Sequence, residues 1–332
     1  MGRYLVTGGA GFVGSHTVLA LLDRGDEVVV LDDLSKGHRG AVPAAAKLVT
    51  GRCDDKDAVA TAFAHGPFDA VLHFAALSLV GDSMRDPMRY IGENLHGVTT
   101  VAGAAAKAGC RKFVLSSTAA LFGFPERIPI DEDQRLEPVS AYGESKLVCE
   151  RALAWAERVH GLRFAALRYF NAAGADPAGR AGEDHDPETH LVPLAIGAAM
   201  GTRAPLTVFG SDYDTPDGTC IRDYVHVNDL ADAHLRVLPL LDHRSVRYNL
   251  GNGTGYSVKQ VLDTVGRIAG RPVPHTLGPR REGDPASLVA SSARLRAETG
   301  WSPRFPALED IARTAWTWHS AHPNGYDDRA AG

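Results

Sequence analysis

Short apolar runs alternate with longer helical segments through the first half of the chain, and this alternation limits the possible folds most strongly. The runs are continuously apolar, as expected for parallel strands buried on both faces. The predicted strands are 3–7, 27–31, 47–50, 70–74, 112–116 and 163–168. The predicted helices between them are 12–24, 57–64, 88–108 and 142–159. The pattern predicts an α/β fold built on a doubly wound parallel sheet.

A glycine-rich segment, Gly8-Gly9-Ala10-Gly11-Phe12-Val13-Gly14, joins the first predicted strand to the first helix. Small residues at such a turn let backbone N–H groups and the positive end of the helix approach a pyrophosphate. The glycine spacing alone is a weak signal, but its strand–turn–helix context is the one that dinucleotide binding requires. We therefore predict a Rossmann sheet that binds a dinucleotide.

The nucleotide type is indicated by Asp32, which ends the second predicted strand. A carboxylate at this position accepts hydrogen bonds from a ribose diol and repels a 2′-phosphate, which favours NAD over NADP. Asp33 adds a second negative charge, and together the two carboxylates outweigh the nearby Lys36 and Arg39.

The regular alternation ends near the middle of the chain. Residues 176–189 are rich in Gly, Pro, Asp and Glu, which is typical of a long loop. Residues 224–238 again predict a strand and then a helix, which we expect to return to the main sheet. The sequence thus predicts an NAD-binding domain over 1–175, rejoined by about 224–240, and a smaller C-terminal α/β substrate-binding domain over 176–332.

Composition limits the partners. The chain carries 35 basic and 40 acidic side chains, a formal net charge of −5. Neither a nucleic acid nor an anionic membrane is therefore the expected partner. There is no apolar run long enough for a membrane span, no pattern of a secretory signal, and no cysteine pair with metal-ligand spacing. We expect a cytoplasmic protein that acts on a small molecule.

A tyrosine and a lysine four residues apart, Tyr142 and Lys146, share one face of a predicted helix. A phenol with a pKa of about 10 is a poor base near neutral pH. A cation about 4 Å away contributes roughly 4 kcal/mol at an effective dielectric of about 20, which lowers that pKa by at most about three units. The pair therefore makes a tyrosinate base near pH 7 feasible, with a positively charged nicotinamide adding to the effect and the hydroxyl group of Thr118 upstream.

Together these motifs resemble the extended short-chain dehydrogenase/reductase family, and within it the UDP-glucose 4-epimerases. The resemblance covers nearly the whole chain. The segments that carry it are 6–9, 73–76, 142–146, 168–171, 214–224 and 280–284.

The resemblance implies an NAD-dependent interconversion of UDP-glucose and UDP-galactose. Tyr142 takes the proton of the 4′-hydroxyl while C4′ passes a hydride to NAD⁺, the 4-keto sugar rotates, and the hydride returns to the opposite face. Lys146 is expected to hold the nicotinamide ribose. Thr118 stands where the family usually has Ser, and its hydroxyl is expected to bridge the sugar oxygen and Tyr142.

The resemblance also implies two sets of binding residues. The cofactor set is Gly8, Gly11, Phe12, Val13, Gly14, Asp32, Asp33, Phe74, Ala75, Ala76, Asn94, Tyr142, Lys146 and Phe170. The substrate set is Thr118, Asn171, His190, Leu191, Thr207, Phe209, Arg222, Tyr224, Arg281 and Asp284. Arg222 and Arg281 are expected to clamp the diphosphate, since guanidinium forks suit phosphate oxygens. Asp284 is expected to bind the uridine ribose, and Phe209 to pack on the uracil.

Some positions depart from the family pattern. Arg52 replaces an adenine-contacting Asp, Ser78 a Lys, and His190 an Asn. These changes concern the adenine and phosphate contacts rather than the reaction class.

In the related 4,6-dehydratases an Asp and a Glu follow the catalytic Thr, whereas here Ala119 and Ala120 do. Methyl groups perform no acid–base chemistry, which argues against dehydration.

The segment 183–190 combines Glu, Asp and His side chains, but its spacing fits no standard zinc or calcium pattern. We interpret it as a solvated loop with His190 on the substrate side, and expect no metal.

Two alternatives stay open at this point. A UDP-pentose (xylose/arabinose) 4-epimerase would share the chemistry at C4. A non-catalytic protein that senses NAD would need the glycine turn, but neither Tyr142 nor Lys146.

Two finer expectations also rest on the resemblance. Leu288 stands where the family places a wall of the sugar pocket, often a Tyr, so a leucine predicts room for the N-acetyl group of UDP-GlcNAc. Helices 88–108 and 142–159 carry more apolar residues than one core face needs, and we expect them to pair across a two-fold axis in a homodimer. The residues on which this rests are Val98, Val101, Ala104, Ala105, Leu147, Leu153 and Trp155.

Overall fold

The computed structural model describes residues 1–281 and 283–326. Its strands are β1 (Arg3–Thr7), β2 (Glu27–Asp32), β3 (Lys47–Thr50), β4 (Ala70–His73), β5 (Lys112–Thr118), β6 (Arg163–Tyr169), β7 (Asn171–Ala173), β8 (Leu206–Phe209), β9 (Ile221–His226), β10 (Val246–Leu250), β11 (Gly255–Ser257), β12 (His275–Gly278) and β13 (Ser287–Leu288). Its α-helices are α1 (Phe12–Asp23), α2 (Lys56–Phe63), α3 (Val80–Ser83), α4 (Pro87–Lys107), α5 (Ala141–His160), α6 (Leu191–Met200), α7 (Val227–Arg236), α8 (Val258–Ala269), α9 (Ala293–Thr299) and α10 (Leu308–Ala321).

Seven strands form the main sheet in the order β10-β6-β5-β4-β1-β2-β3, and every neighbouring pair is parallel. Buried apolar side chains cover both faces of the sheet, which explains the continuous apolar runs in the sequence. The predicted doubly wound fold is confirmed. Because the strand order reverses between β1 and β4, a crevice opens at the carboxyl ends of these strands.

The second half builds a smaller α/β unit. Strand β9 lies at its centre, antiparallel to β11 and parallel to β7 and β13, while β8 and β12 form a separate pair. Helices α6, α8 and α10 pack together around a third apolar cluster. The predicted loop lies between β7 and α6, two elements of the smaller unit.

The strand predicted over 224–227 does not return to the main sheet, and that part of the prediction is wrong. Its residues belong to β9, which pairs with β7 in the smaller sheet. After β6 the chain leaves the main sheet and enters the smaller sheet as β7. Because β9 pairs with β7, it also belongs to the smaller sheet. Helix α7 does return, since Leu230 and Ala233 join the apolar cluster of the main sheet. Strand β10 then completes that sheet beside β6.

Candidate active site

The glycine turn between β1 and α1 has a shape that larger residues would destroy. Gly8 adopts a φ of 71°, and a Cβ there would lie 2.4 Å from the backbone N of Ala75. A Cβ on Gly14 would lie 2.1 Å from the carbonyl oxygen of Gly8. Gly11 begins α1 without a side-chain cap, so the first-turn N–H groups stay available to an anion. This cradle fits the pyrophosphate of a dinucleotide.

Asp32 is held against the same turn. Its two carboxylate oxygens accept hydrogen bonds from the backbone N–H groups of Ala10 and Leu34, each at 2.9 Å. Burial raises the pKa of Asp32, and the two N–H groups oppose that rise. Its position at the end of β2, beside the glycine turn, suits an acceptor for a ribose diol.

Arg52, one of the departures from the family pattern, pairs with acidic neighbours. Its guanidinium lies 2.8 Å from the Asp54 carboxylate, 2.9 Å from that of Glu93 and 3.9 Å from that of Asp33. The positive charge is therefore balanced inside the protein, at the rim where the adenine contact was expected.

Asn94 connects two parts of the site. Its side-chain oxygen accepts from the backbone N–H of Leu77 at 2.8 Å, and its amide nitrogen donates to the Leu77 carbonyl at 3.0 Å and to Ser145 Oγ at 2.9 Å. One amide hydrogen is thus donated to the loop after β4 and the other to helix α5. Asn94 positions these two segments, and its direct contact with NAD stays a prediction.

The predicted catalytic residues come from neighbouring elements. Thr118 ends β5, and its side chain hydrogen-bonds to Tyr142 in the first turn of α5. Lys146 lies one turn further along α5, is 2% exposed, and donates from Nζ to the carbonyl oxygen of Ser116 at 2.9 Å. The structure therefore brings the hydroxyl, the phenol and the ammonium group to the carboxyl end of β5.

The electrostatics of this pair are dominated by burial. Burial raises the pKa of Tyr142, and the hydrogen bond with Thr118 opposes only part of that rise. Burial also lowers the pKa of Lys146 to about 8. Burial thus disfavours the phenolate in the chain without cofactor. A tyrosinate near neutral pH, formed when the charge of a bound nicotinamide adds to that of Lys146, stays a prediction.

A buried carboxylate, Glu150, completes the corner and was missed in the sequence. It accepts from Ser117 Oγ at 2.6 Å and from two nitrogens of Arg168 at 2.9 and 2.7 Å. The Arg168 and Glu150 side chains are 3% and 2% exposed. Glu150 follows Lys146 by four residues, so the spacing Tyr142, Lys146, Glu150 on one helix face could have indicated it.

The residues predicted to bind UDP come from the smaller sheet and the segments around it. Arg222 in β9 forms an ion pair with Asp284 and donates to its neighbouring carbonyl, that of Ile221, at 2.7 Å. The Arg281 guanidinium lies 4.3 Å from the centre of the Phe209 ring. These four predicted residues thus occur as two contacting pairs. Glu282, in the same motif, lies outside the described residues.

Other predicted substrate residues have mainly structural surroundings. Asn171 donates to the carbonyl oxygen of Asp223 at 2.9 Å, and Thr207 lies 3.5 Å from Thr276 Oγ1 on the paired strand. Tyr224 is 4% exposed within the apolar core of the smaller unit, and burial raises its pKa. Its contact with the substrate stays a prediction.

The segment 183–190 differs from its expected form. The side chains of Glu183 and Glu188 are each 3% exposed, and both form ion pairs with His185 and His190. Burial lowers the histidine pKa values, but the carboxylates outweigh it and raise them to about 9 for His185 and about 10 for His190. The solvated-loop prediction is wrong for the two glutamates, because pairing with histidine lets them be buried. His190 is the N-cap of α6, and Leu191 is the first residue of that helix.

Comparison with known proteins adds to this geometry. The profile of the NAD dependent epimerase/dehydratase family matches residues 4–251. The chain belongs to this family. A UDP-glucose 4-epimerase from Halalkalibacterium halodurans is 48% identical over 324 residues, which cover 97% of both chains.

Solved structures of the same kind are also similar. The UDP-glucose 4-epimerase of Brucella ovis, in complex with NAD, is 42% identical with a TM-score of 0.92, covering 96% of this chain and 98% of that one. The Bifidobacterium longum enzyme, in complex with NAD⁺ and UDP, is 35% identical with the same TM-score, covering 98% and 100%. Within the described part of this family member, no helix is long and apolar enough to cross a membrane.

Proposed function

We propose that this chain interconverts UDP-glucose and UDP-galactose by oxidation at C4 of the sugar, rotation of the 4-keto intermediate and reduction on its other face. The observation that carries the proposal is the meeting of Thr118, Tyr142 and Lys146 at the carboxyl end of β5, beside the cradle at Gly8. The family and the relatives that are UDP-glucose 4-epimerases support the same reaction.

NAD is the cofactor that the cradle and Asp32 would hold. When bound, NAD⁺ would supply a reversible acceptor for the hydride of C4, and the positive charge of its nicotinamide ring would favour a phenolate at Tyr142. Tyr142 takes the proton of the 4′-hydroxyl and gives it back, with the Thr118 hydroxyl hydrogen-bonded to it. Lys146 donates hydrogen bonds to the nicotinamide ribose from a position fixed by the Ser116 carbonyl.

The UDP part of the substrate lies on the paired residues of the smaller unit. Arg222 and Arg281 bind the diphosphate as guanidinium forks. Asp284 already pairs with Arg222, so its carboxylate orients that guanidinium before the substrate arrives. Phe209 already packs on Arg281 and offers its other face to the uracil. A fixed UDP with a mobile hexose is what rotation of the 4-keto sugar requires.

Proton NMR of the products tests this function. The purified chain is incubated separately with UDP-glucose, UDP-GlcNAc and UDP-xylose, and the 4-epimers are resolved by their anomeric signals. Formation of UDP-galactose is the expected result. Turnover of UDP-xylose alone would identify a pentose 4-epimerase. Bound NAD without turnover of any UDP-sugar would identify a non-catalytic NAD-binding protein.

The breadth of substrates depends on Leu288. It pairs with Arg222 between β13 and β9, so it lies beside the diphosphate clamp, and it is half-buried. A leucine leaves more room beside the C2 substituent than a tyrosine. We expect measurable turnover of UDP-GlcNAc, and we expect Leu288→Tyr to abolish that activity while UDP-glucose turnover remains. Equal loss of both activities would show that Leu288 is not a selective wall.

We also propose a homodimer, on a narrower basis than the sequence suggested. Five of the seven apolar residues named for the interface are buried within their own chain: Val98, Val101, Ala105, Leu147 and Leu153. The remaining support is exposed apolar surface on helices α4 and α5, where Met88, Trp155 and Val159 are 73%, 63% and 67% exposed. A dimer by sedimentation, converted to a monomer by Trp155→Glu, is expected; a 35.4 kDa wild-type species at micromolar concentration would contradict it.

A cytoplasmic location is the last part of the proposal. The four cysteines all lie in the described residues and are free thiols, three of them buried. Free thiols suit a reducing compartment. If the purified protein kept its activity after its thiols were oxidised, the thiols would not require a reducing compartment.

A further inference from the structure

The loop between β7 and α6 holds four side chains whose potential ligand atoms lie close together. Glu183 and Glu188 are almost fully buried, whereas His185 and His190 are 28% and 47% exposed at their side chains. One potential ligand atom from each of the four lies within 4.8 Å of all the others. The reaction described above uses neither Glu183 nor Glu188 nor His185.

The separations between these atoms have the size of a coordination shell. His185 Nδ1 lies 3.3 Å from Glu183 Oε1 and 3.5 Å from Glu188 Oε2. His190 Nδ1 lies 3.0 Å from Glu183 Oε1 and 2.9 Å from Glu188 Oε1. Four donors at the usual zinc distances of about 2.0–2.1 Å form a tetrahedron whose edges are about 3.3–3.4 Å long. The two separations that share Glu183 Oε1, 3.3 and 3.0 Å, differ from that edge by at most a few tenths of an ångström, whereas Glu188 approaches the two histidines with different oxygens of its carboxylate.

Hydrogen bonds explain this arrangement incompletely. Each Nδ1 carries at most one hydrogen, yet each faces oxygens of two carboxylates. His185 Nδ1 is inaccessible to solvent and has no hydrogen bond of acceptable geometry. A buried nitrogen without such a partner, directed between two carboxylates, is the arrangement that a bound cation would satisfy.

The surroundings hold the donors in place. Glu188 Oε1 accepts the backbone N–H groups of Thr189 and His190 at 2.7 and 2.8 Å, which fixes the orientation of that carboxylate. The loop is also attached to the cofactor half, because Lys36 Nζ donates to the Asp186 carbonyl oxygen at 2.7 Å. Hydrogen bonds of this kind around the ligands are a regular feature of metal sites.

We propose that Glu183, His185, Glu188 and His190 form a tetrahedral site for a divalent cation of the Zn²⁺ class. Two nitrogen and two oxygen donors suit Zn²⁺, whereas Ca²⁺ and Mg²⁺ take six or more oxygen ligands. Four protein donors complete the tetrahedron, so the site is structural and leaves no position for a reacting water. It fixes the loop between the cofactor half and helix α6. This inference replaces the sequence-based expectation of no metal.

Metal titration of the purified full chain tests the site. The protein is dialysed against a chelator and then against buffer, titrated with Zn²⁺ alone, and the bound metal is measured after gel filtration. One Zn²⁺ per chain is expected, with binding at least about tenfold weaker in Glu188→Gln and in His185→Asn. The matched controls His243→Asn and Glu126→Gln, at exposed positions, should bind like wild type.

A second measurement does not depend on any variant folding correctly. Co²⁺ replaces Zn²⁺ in the wild-type chain, and the visible spectrum is recorded. Strong absorption bands of tetrahedral Co²⁺ are expected, and Zn²⁺ should displace them at one equivalent. Weak octahedral bands, no stoichiometric Zn²⁺, or equal Zn²⁺ binding by the cluster variants and the controls would each overturn the proposal, leaving a buried ion-pair cluster.

Discussion

At the catalytic corner, formed by Thr118, Tyr142, Lys146 and Glu150, the tyrosine is half-buried and the other three side chains are buried. Elements β5, β6 and α5 hold these groups in place. On the UDP side, formed by Phe209, Arg222, Arg281 and Asp284, the charged groups are less buried and meet from separate segments of the chain. The corner thus holds its polar groups at one fixed point, whereas the UDP side has the charges and the exposure that suit a charged ligand that enters and leaves. Changes in the corner should alter kcat or stability, and changes on the UDP side should alter affinity.

The largest effect is expected from Tyr142→Phe. The ring keeps its packing while the proton acceptor is lost, so kcat should fall by about 10²–10⁴-fold with the fold and bound NAD retained. Steady-state kinetics measure kcat, and the NAD released when the protein is denatured measures the bound cofactor. Tyr4→Phe, a half-buried tyrosine at the far end of β1, is the control and should keep full activity. More than about a tenth of the wild-type kcat in Tyr142→Phe would contradict the assignment.

The next effect concerns the stability of the corner. Glu150→Ala leaves the buried guanidinium of Arg168 without its carboxylate, which should lower the free energy of unfolding by about 3–5 kcal/mol. Glu137→Ala removes an exposed pair with Arg135, 63% and 72% exposed at their side chains, and should cost less than about 1 kcal/mol. Urea unfolding compares the two. Similar losses in both variants would show that burial at the corner has no special importance.

A smaller effect, on binding, is expected from Arg281→Ala. Loss of a charged hydrogen bond to the diphosphate should weaken UDP binding by about 10- to 100-fold, with kcat changed much less. Calorimetric titration with UDP measures the affinity. Arg280→Ala is the matched control, because the guanidinium of Arg280 forms its ion pair with Asp212. A fall in kcat with unchanged UDP affinity would reverse the contrast between the two regions.

The smallest effect is a change in pH dependence behind the corner, where His234 is buried against Phe74 and Tyr169. Burial lowers the pKa of His234 to about 4, against about 6.5 in the unfolded chain. Between these values the unfolded chain binds more protons, so the free energy of unfolding falls as pH is lowered from 6.5 towards 4. The loss is at most about 1.4 kcal/mol per pH unit for this one group.

His234→Gln removes this titration, so its unfolding free energy should depend less on pH below 6.5 than that of wild type. His243→Gln, at an exposed position, is the control and should keep the wild-type slope. Urea unfolding at several pH values between 7 and 4.5 measures the three slopes. Identical slopes in wild type and His234→Gln would contradict the buried, neutral imidazole.

Local sequence patterns were sufficient where neighbours along the chain determine the structure. The apolar runs predicted the first six strands of the main sheet to within a few residues, and the spacing of Tyr142 and Lys146 predicted their common helix face. The glycine turn was equally local, because the φ of Gly8 and the close approach at Gly14 restrict the residues that fit there.

Features that depend on distant partners were not predictable in the same way. The position of β9 depends on its pairing with β7, more than forty residues earlier. The burial of Glu183 and Glu188 depends on two histidines that share them in space. The raised pKa of Tyr142 depends on desolvation, which a sequence does not display.

In the proposed reaction, one hydride leaves C4 and returns to the same carbon within a single pocket. UDP-glucose carrying deuterium at C4 is converted by the wild-type chain in ordinary water, and the UDP-galactose formed is analysed by NMR and mass spectrometry. We expect the deuterium to be retained at C4 of the product. Replacement of that deuterium by solvent hydrogen would contradict it.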